Sequence, residues 1–143
     1  MKSQEAAVYR EIQRNTDMAM KAIDTISSKV YDDSLALQIS RQSLAYAEIH
    51  NEASRQLMEA KAERYQSSAL SDALLKTGLH YNTMLNTSTG HLAELMIREN
   101  NNGILELEKV LKHNENAGER PVSLAQQLID LEERNIRHLK EYL

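Results

Sequence analysis

His91–Asn114 reads HLAELMIRENNNGILELEKVLKHN, and the fold turns on its middle. Glu99–Gly103, ENNNG, is poor helix sequence between two good helical halves. Taking Leu92, Met96, Leu107 and Val110 as a buried stripe, the 3-to-4 spacing continues through Glu99 or Asn100 and Gly103 without a slip. A loop would break that register. Three Asn and one Gly cost about 2–3 kcal/mol of helix propensity relative to Ala. Burial of four or five large side chains, at about 1.5–3 kcal/mol each, exceeds that cost. The spacing therefore predicts one continuous helix with a weak, polar, narrow middle. Gly103 falls on its inner face, where Ala gains helix propensity if the site is roomy and Leu overpacks.

Upstream, Val8, Ile12, Ala19, Ala22, Ile23, Ile26 and Val30 keep the same spacing and predict a first helix over Gln4–Val30. YDDS at Tyr31–Ser34 both stops it and caps the next, because Asp and Ser side chains accept from free backbone N–H groups. A second helix follows over Ser34–Tyr65, burying Leu35, Ile39, Tyr46, Ile49, Ala53, Leu57 and Ala60. A shorter linking helix over Leu70–Leu85 carries a weaker stripe of Leu70, Leu74, Gly78, Tyr81 and Leu85 between polar turns. Thr87–Thr89 offers N-caps to the third long helix. Gly118 is a candidate left-handed stop for it, and the last helix starts at Pro121 or behind a cap at Ser123. That helix buries Leu124, Leu128, Leu131, Ile136 and Leu139. The linker is long enough to cross the molecule, so the second and third long helices are expected to run parallel.

Composition agrees with an all-α reading. The 143 residues hold 4 Gly, 1 Pro and no Phe, Trp or Cys, a mixture poor in strand formers. One domain over residues 1–143 is expected. A net charge of −4 and no cluster of Lys or Arg argue against nucleic acid; Arg10 and Arg14 share a helix face, but Glu11 sits beside them. Without cysteine there is no disulfide framework or thiolate site, which fits a reducing cytoplasm. The N-terminal MKSQEAAVYREIQ lacks the apolar centre of a secretory signal. Thr77–Ala93, the longest uncharged run, is too polar to cross a membrane. A soluble protein is expected.

In an antiparallel hairpin, residues equidistant from the turn lie level. That places Asn15 with His50, and Glu99 and Asn100 with Ile136 and Asn135. Side-by-side hairpins then bring Glu11, Asn15, His50, Glu99, Asn100, Asn135 and His138 towards one central layer. Buried polar groups cost free energy unless paired, so the layer is either a hydrogen-bonded network fixing helix register, formed by Asn15, Asn100 and Asn135, or a metal or small-ligand site between facing helices. Met18, Met20, Met58, Met84 and Met96 read as core or groove filler, and the six Tyr as packing or interface residues rather than catalysts. No phosphate loop, nucleophile elbow or His-Glu-x-x-His occurs, and no catalytic residue is assigned.

VYREIQRNTDMAMKAID at Val8–Asp24, the His91–Asn114 stretch and LIDLEERNIRHLKEYL at Leu128–Leu143 resemble small bacterial ferritin-like four-helix bundles of families with no assigned function. The resemblance implies an up-down-down-up bundle with a crossover in the linker, and no activity. Iron-binding members of that superfamily carry one Glu on each of two helices and Glu-x-x-His on the other two. Here the first and third long helices offer Glu11 and Glu99. The second and fourth offer AEIH, Ala47–His50, and NIRH, Asn135–His138, each without the bridging Glu. What remains of such a centre is one divalent ion, Fe, Mn or Zn, on Glu11, His50, Glu99 and His138. The functional expectation is a non-enzymatic bundle without a cofactor that acts by self-association or by binding another protein; the alternative is that degenerate metal site.

Overall fold

The computed structural model describes residues 1–84 and 86–143. The regular structure among them is helical throughout: α1 (Ser3–Ser27), α2 (Asp33–Glu59), α3 (Ala69–Met84), α4 (Thr89–His113) and α5 (Glu119–Leu139), closed by a 3-10 turn at Lys140–Tyr142. The ENNNG segment lies inside α4, which runs unbroken. No helix among the described residues is long and apolar enough to cross a membrane.

Helix starts follow the caps. Asp32 accepts from the Leu35 N–H at 2.8 Å and Ser88 from the His91 N–H at 3.3 Å, satisfying donors that a first helical turn leaves free. Gly118, at φ 95°, precedes α5 rather than terminating α4, and α5 starts at Glu119. Ser123 is therefore inside the helix and caps nothing. Pro121 is tolerated there because the first turn has no partner for the N–H it lacks.

α2 stops at Glu59, short of the expected Tyr65. Lys61 takes a left-handed φ of 53°, its N–H donates to the Met58 carbonyl at 3.0 Å, and the Ala62 N–H donates to the Leu57 carbonyl at 2.9 Å. This is the paired C-terminal closure usually built on glycine. Ala60 is consequently exposed rather than buried. The chain then turns onto α1, where Arg10 donates to the Glu63 carbonyl at 3.2 Å and the Tyr65 N–H donates to Gln13 at 2.8 Å. Those side chains satisfy backbone groups that a longer α2 would have paired within itself.

Tertiary hydrogen bonds set the helix directions. The Asn116 N–H donates to Gln4 at 2.9 Å, which places the α4–α5 turn beside the start of α1. Ser34 and the Tyr142 hydroxyl meet at 2.6 Å, joining the start of α2 to the chain end, where Gly90 lies against Leu143. So α1 and α5 run one way, and α2 and α4 the other. α1 and α5 each pack on both α2 and α4, leaving α2 and α4 parallel across a diagonal. Residues 60–88 return the chain along α1, with Lys21 bound to Asp72 at 2.8 Å and Lys29 to His80 at 2.9 Å.

The expected α3 stripe is rotated outward. Leu70, Leu74 and Tyr81 are 70%, 65% and 69% exposed, whereas Leu79 and Thr83 are buried; Leu85 lies outside the described residues. Leu75 and Leu79, with Asp72 held by Lys21, form the inner face. The ion pair and two apolar contacts outweigh the longer stripe. Met58 and Met84 are likewise exposed rather than core.

Candidate functional site

The core formed by α1, α2, α4 and α5 carries a polar layer. Glu132 on α5 lies on the buried stripe between Leu128 and Asn135 and is 1% exposed. Asn15 on α1 donates to Glu132 Oε1 at 3.0 Å and to the Gly103 carbonyl at 3.1 Å. Tyr46 on α2 lies 2.7 Å from Asn100 Oδ1 and 3.3 Å from Glu132 Oε2. Asn135 donates to Tyr46 and to Asn100 at 3.3 Å each, and Asn100 donates back to the Met96 carbonyl at 2.8 Å. All four long helices meet in this network.

Its proton arrangement follows from the geometry. Tyr46 has one hydroxyl proton, and the shorter bond assigns it to Asn100. With that proton donated to Asn100, Glu132 Oε2, 3.3 Å from the Tyr46 oxygen, bonds it as a donor when the carboxyl is protonated. Burial pushes the Glu132 carboxyl up to about 8, more than its contacts with Asn15 and Tyr46 lower it. Glu132 is a neutral acid at neutral pH. The same burial, with the nearby Glu132 adding to it, raises Tyr46 well above the usual phenol range.

Gly103 makes room for that carboxyl. A Cβ there would collide with Glu132 Oε2 and lie 2.8 Å from Asn15 Nδ2. The site is not roomy, so an Ala Cβ meets Glu132 and Asn15, a contact that opposes the gain in helix propensity. Gly103 leaves space, and Glu132 fills it.

A cavity of about 220 Å3 opens beside the network. Its lining includes the polar Asn15, Gln42, Tyr46 and Glu132, the apolar Met18, Ala19, Ala22, Ile23 and Met96, and the charged Arg14, Glu99 and Glu106. Gln42 is 2% exposed, yet among the described residues neither atom of its amide has a hydrogen-bond partner, and Asn15 Oδ1 has none either. Most buried polar atoms are paired, so three unpaired atoms on two residues of the lining set this region apart. Asn15 cannot flip to change this, because its Nδ2 already serves Gly103 and Glu132. Arg14 is engaged by Glu11 through two bonds, at 2.6 and 2.8 Å, and Glu99 is raised by burial.

Of the residues considered for a metal, Glu11 pairs with Arg14. His50 Nδ1 lies 2.8 Å from the Thr16 hydroxyl, which is also 2.8 Å from the Ile12 carbonyl. Glu99 lines the cavity, and His138 is exposed and bonds Gln38 at 3.0 Å. The four are not brought together: among the described residues no group of three or more His, Cys, Asp or Glu is placed to hold a metal ion. Asn15, Asn100 and Asn135 do meet in one network, through Glu132 and Tyr46. Glu132 and Gln42 are the residues that reading the sequence missed. Both sit on apolar stripes, Gln42 between Ile39 and Tyr46 and Glu132 four residues after Leu128, and that spacing was the available signal.

No family model, curated protein or solved structure matches the chain, so the ferritin-like resemblance has no support from known relatives.

Proposed function

We propose that the protein is a ferritin-like four-helix bundle serving as a non-catalytic binding module, with a small molecule held in the core cavity. One observation carries this reading: three buried polar atoms on Gln42 and Asn15 have no hydrogen-bond partner among the described residues, and both residues line one cavity. Reversed α2 and α4, joined by a linker along α1, support the ferritin-like arrangement. The amides, phenol and neutral carboxyl among the lining residues suit holding a ligand rather than transforming it. Ala22, 4% exposed on the cavity wall, supplies the test. A thermal-shift screen of small neutral compounds should give stabilisers whose effect is lost in Ala22→Leu, which fills the cavity. Hits that persist unchanged in the variant would place binding elsewhere and refute the reading.

A second reading, self-association, is favoured by the outward Leu70, Leu74, Tyr81 and Met84 on α3. Sedimentation equilibrium of the wild type against Leu74→Lys tests it. A wild type that stays monomeric at high concentration sinks it.

A further inference from the structure

We infer that the outward face of α3 pairs with the same face of a second copy of this chain, the two helices running antiparallel about a two-fold axis at Thr77–Gly78. This rests on the self-association reading above and gives it a face and an orientation. At about 100° per residue, Leu70, Leu74, Thr77, Tyr81 and Met84 fall within an arc of about 80°, opposite the buried Leu79 and Thr83. All five are exposed. The charged residues of α3, Asp72 and Lys76, lie outside that arc, and Asp72 turns in to Lys21 at 2.8 Å. A helix on a protein surface normally shows the reverse, with charges outward and apolar residues towards the core. A contiguous apolar strip on the outside marks an interaction surface.

The pattern along the strip identifies the occupant. Leu74 and Tyr81 stand equally far before and after the Thr77–Gly78 bond, and Leu70 and Met84 match to within one residue. Read from either end, the strip is two large side chains, a small centre and two large side chains. An antiparallel copy therefore sets Leu74 against Tyr81 and Leu70 against Met84, each contact occurring twice, as a two-fold interface requires. The centre admits a close crossing. Gly78 forgoes helix propensity, and among the described residues nothing lies within 4 Å of the Cβ it lacks. Whereas Gly103 yields its space to Glu132, Gly78 leaves its space to a second backbone. Charge speaks against a membrane surface. Interfacial helices are rich in Lys and Arg on their polar face, but α3 has Lys76 alone, and a net charge of −4 opposes anionic headgroups.

The 16 residues of α3 span about 24 Å, a small interface, so the dimer is expected to be weak, with a Kd on the order of 10 µM. Sedimentation equilibrium from about 1 to 300 µM brackets that value. Leu74→Lys and Tyr81→Glu should each weaken the dimer about tenfold or more. Mixed one to one, the two variants should associate about tenfold more tightly than either alone, because the antiparallel seam sets the new cation of one copy against the new anion of the other. Gly78→Leu should weaken the dimer by a similar factor although it adds apolar surface, whereas indiscriminate sticking would grow stronger. Melting at about 1 µM, below the dimer range, checks that each variant folds. A wild type monomeric at every concentration refutes self-association and this arrangement together, and its flotation with phosphatidylglycerol vesicles would assign the face to a membrane. A wild-type dimer that the three variants leave intact keeps self-association but moves it to another face. Single variants that lose the dimer without regaining it on mixing overturn the antiparallel register, and a Gly78→Leu dimer tighter than wild type overturns the close crossing.

Discussion

Glu132 makes stability fall with rising pH, and replacing it with Gln should abolish the effect. Its carboxyl is pushed from 4.5 to about 8 by burial, so between those limits the folded chain holds a proton that the unfolded chain has released. Stability then declines by about 1.4 kcal/mol per pH unit. The contribution is fully present below the unfolded value and lost as pH rises through the folded one, a total of about 4–5 kcal/mol. That is a large share of the roughly 5–15 kcal/mol that holds a domain folded. Glu99, also raised by burial, acts in the same direction. Glu52 and Asp72 are lowered by their hydrogen bonds and act only below the window. In Glu132→Gln, the amide nitrogen donates to the Tyr46 oxygen in place of the acid proton, and the carbonyl accepts from Asn15, so the network survives without the ionisation cost. Urea denaturation from pH 4.5 to 8.5 gives the comparison. The two proteins should be of similar stability near pH 4.5, with the variant ahead by about 3–4 kcal/mol at pH 7.5. Parallel curves across the range would refute the assignment of a neutral buried acid.

Gly103→Ala should lower stability by about 1–3 kcal/mol despite its helix-propensity gain of about 1 kcal/mol, because the new Cβ displaces Glu132 from Asn15. Denaturant midpoints measure it, and a stabilised variant would mean the carboxyl moves freely. On α3, Leu79→Ala should cost about 2–4 kcal/mol and Leu74→Ala less than about 0.5 kcal/mol; equal costs would contradict the observed rotation. Lys61→Gly should raise the melting temperature through a gain of up to about 1 kcal/mol, since glycine takes the left-handed position without a Cβ penalty. A loss there would show that the Lys61 side chain contributes more than its backbone costs.

The long helices were legible because their apolar spacing persists over many turns, so even ENNNG did not disturb the register. The end of α2 was not legible: nothing local marks Lys61 as the stop, and the decisive bonds come from Arg10 and Gln13, about fifty positions away. α3 misled because its stronger apolar stripe is not the one that packs; the Lys21–Asp72 pair and Leu79 select another face. Asn15, Asn100 and Asn135 meet in one network through Glu132 and Tyr46. Gln42 and Glu132 were not legible because a polar side chain at a single stripe position carries no local sign of whether it turns into the core or out to solvent.

Three neighbouring choices around the core cavity each forgo stability. Gly103 gives up helix propensity, Glu132 must stay protonated against solution at neutral pH, and Gln42 buries an amide without a partner. A register-fixing network would account for Glu132 with its Asn and Tyr partners, and for the Gly103 that admits it. It does not account for Gln42, which bonds to none of them, or for the open volume, which larger aliphatic residues in place of Ala19 and Ala22 would fill. Local costs without a structural return concentrate where a protein serves something beyond its own folding. Gln42 is therefore the residue that separates the two explanations. If Gln42→Leu gains stability and loses nothing the protein binds, the layer is architecture alone; if it gains stability and loses a ligand, the cavity is what those costs preserve.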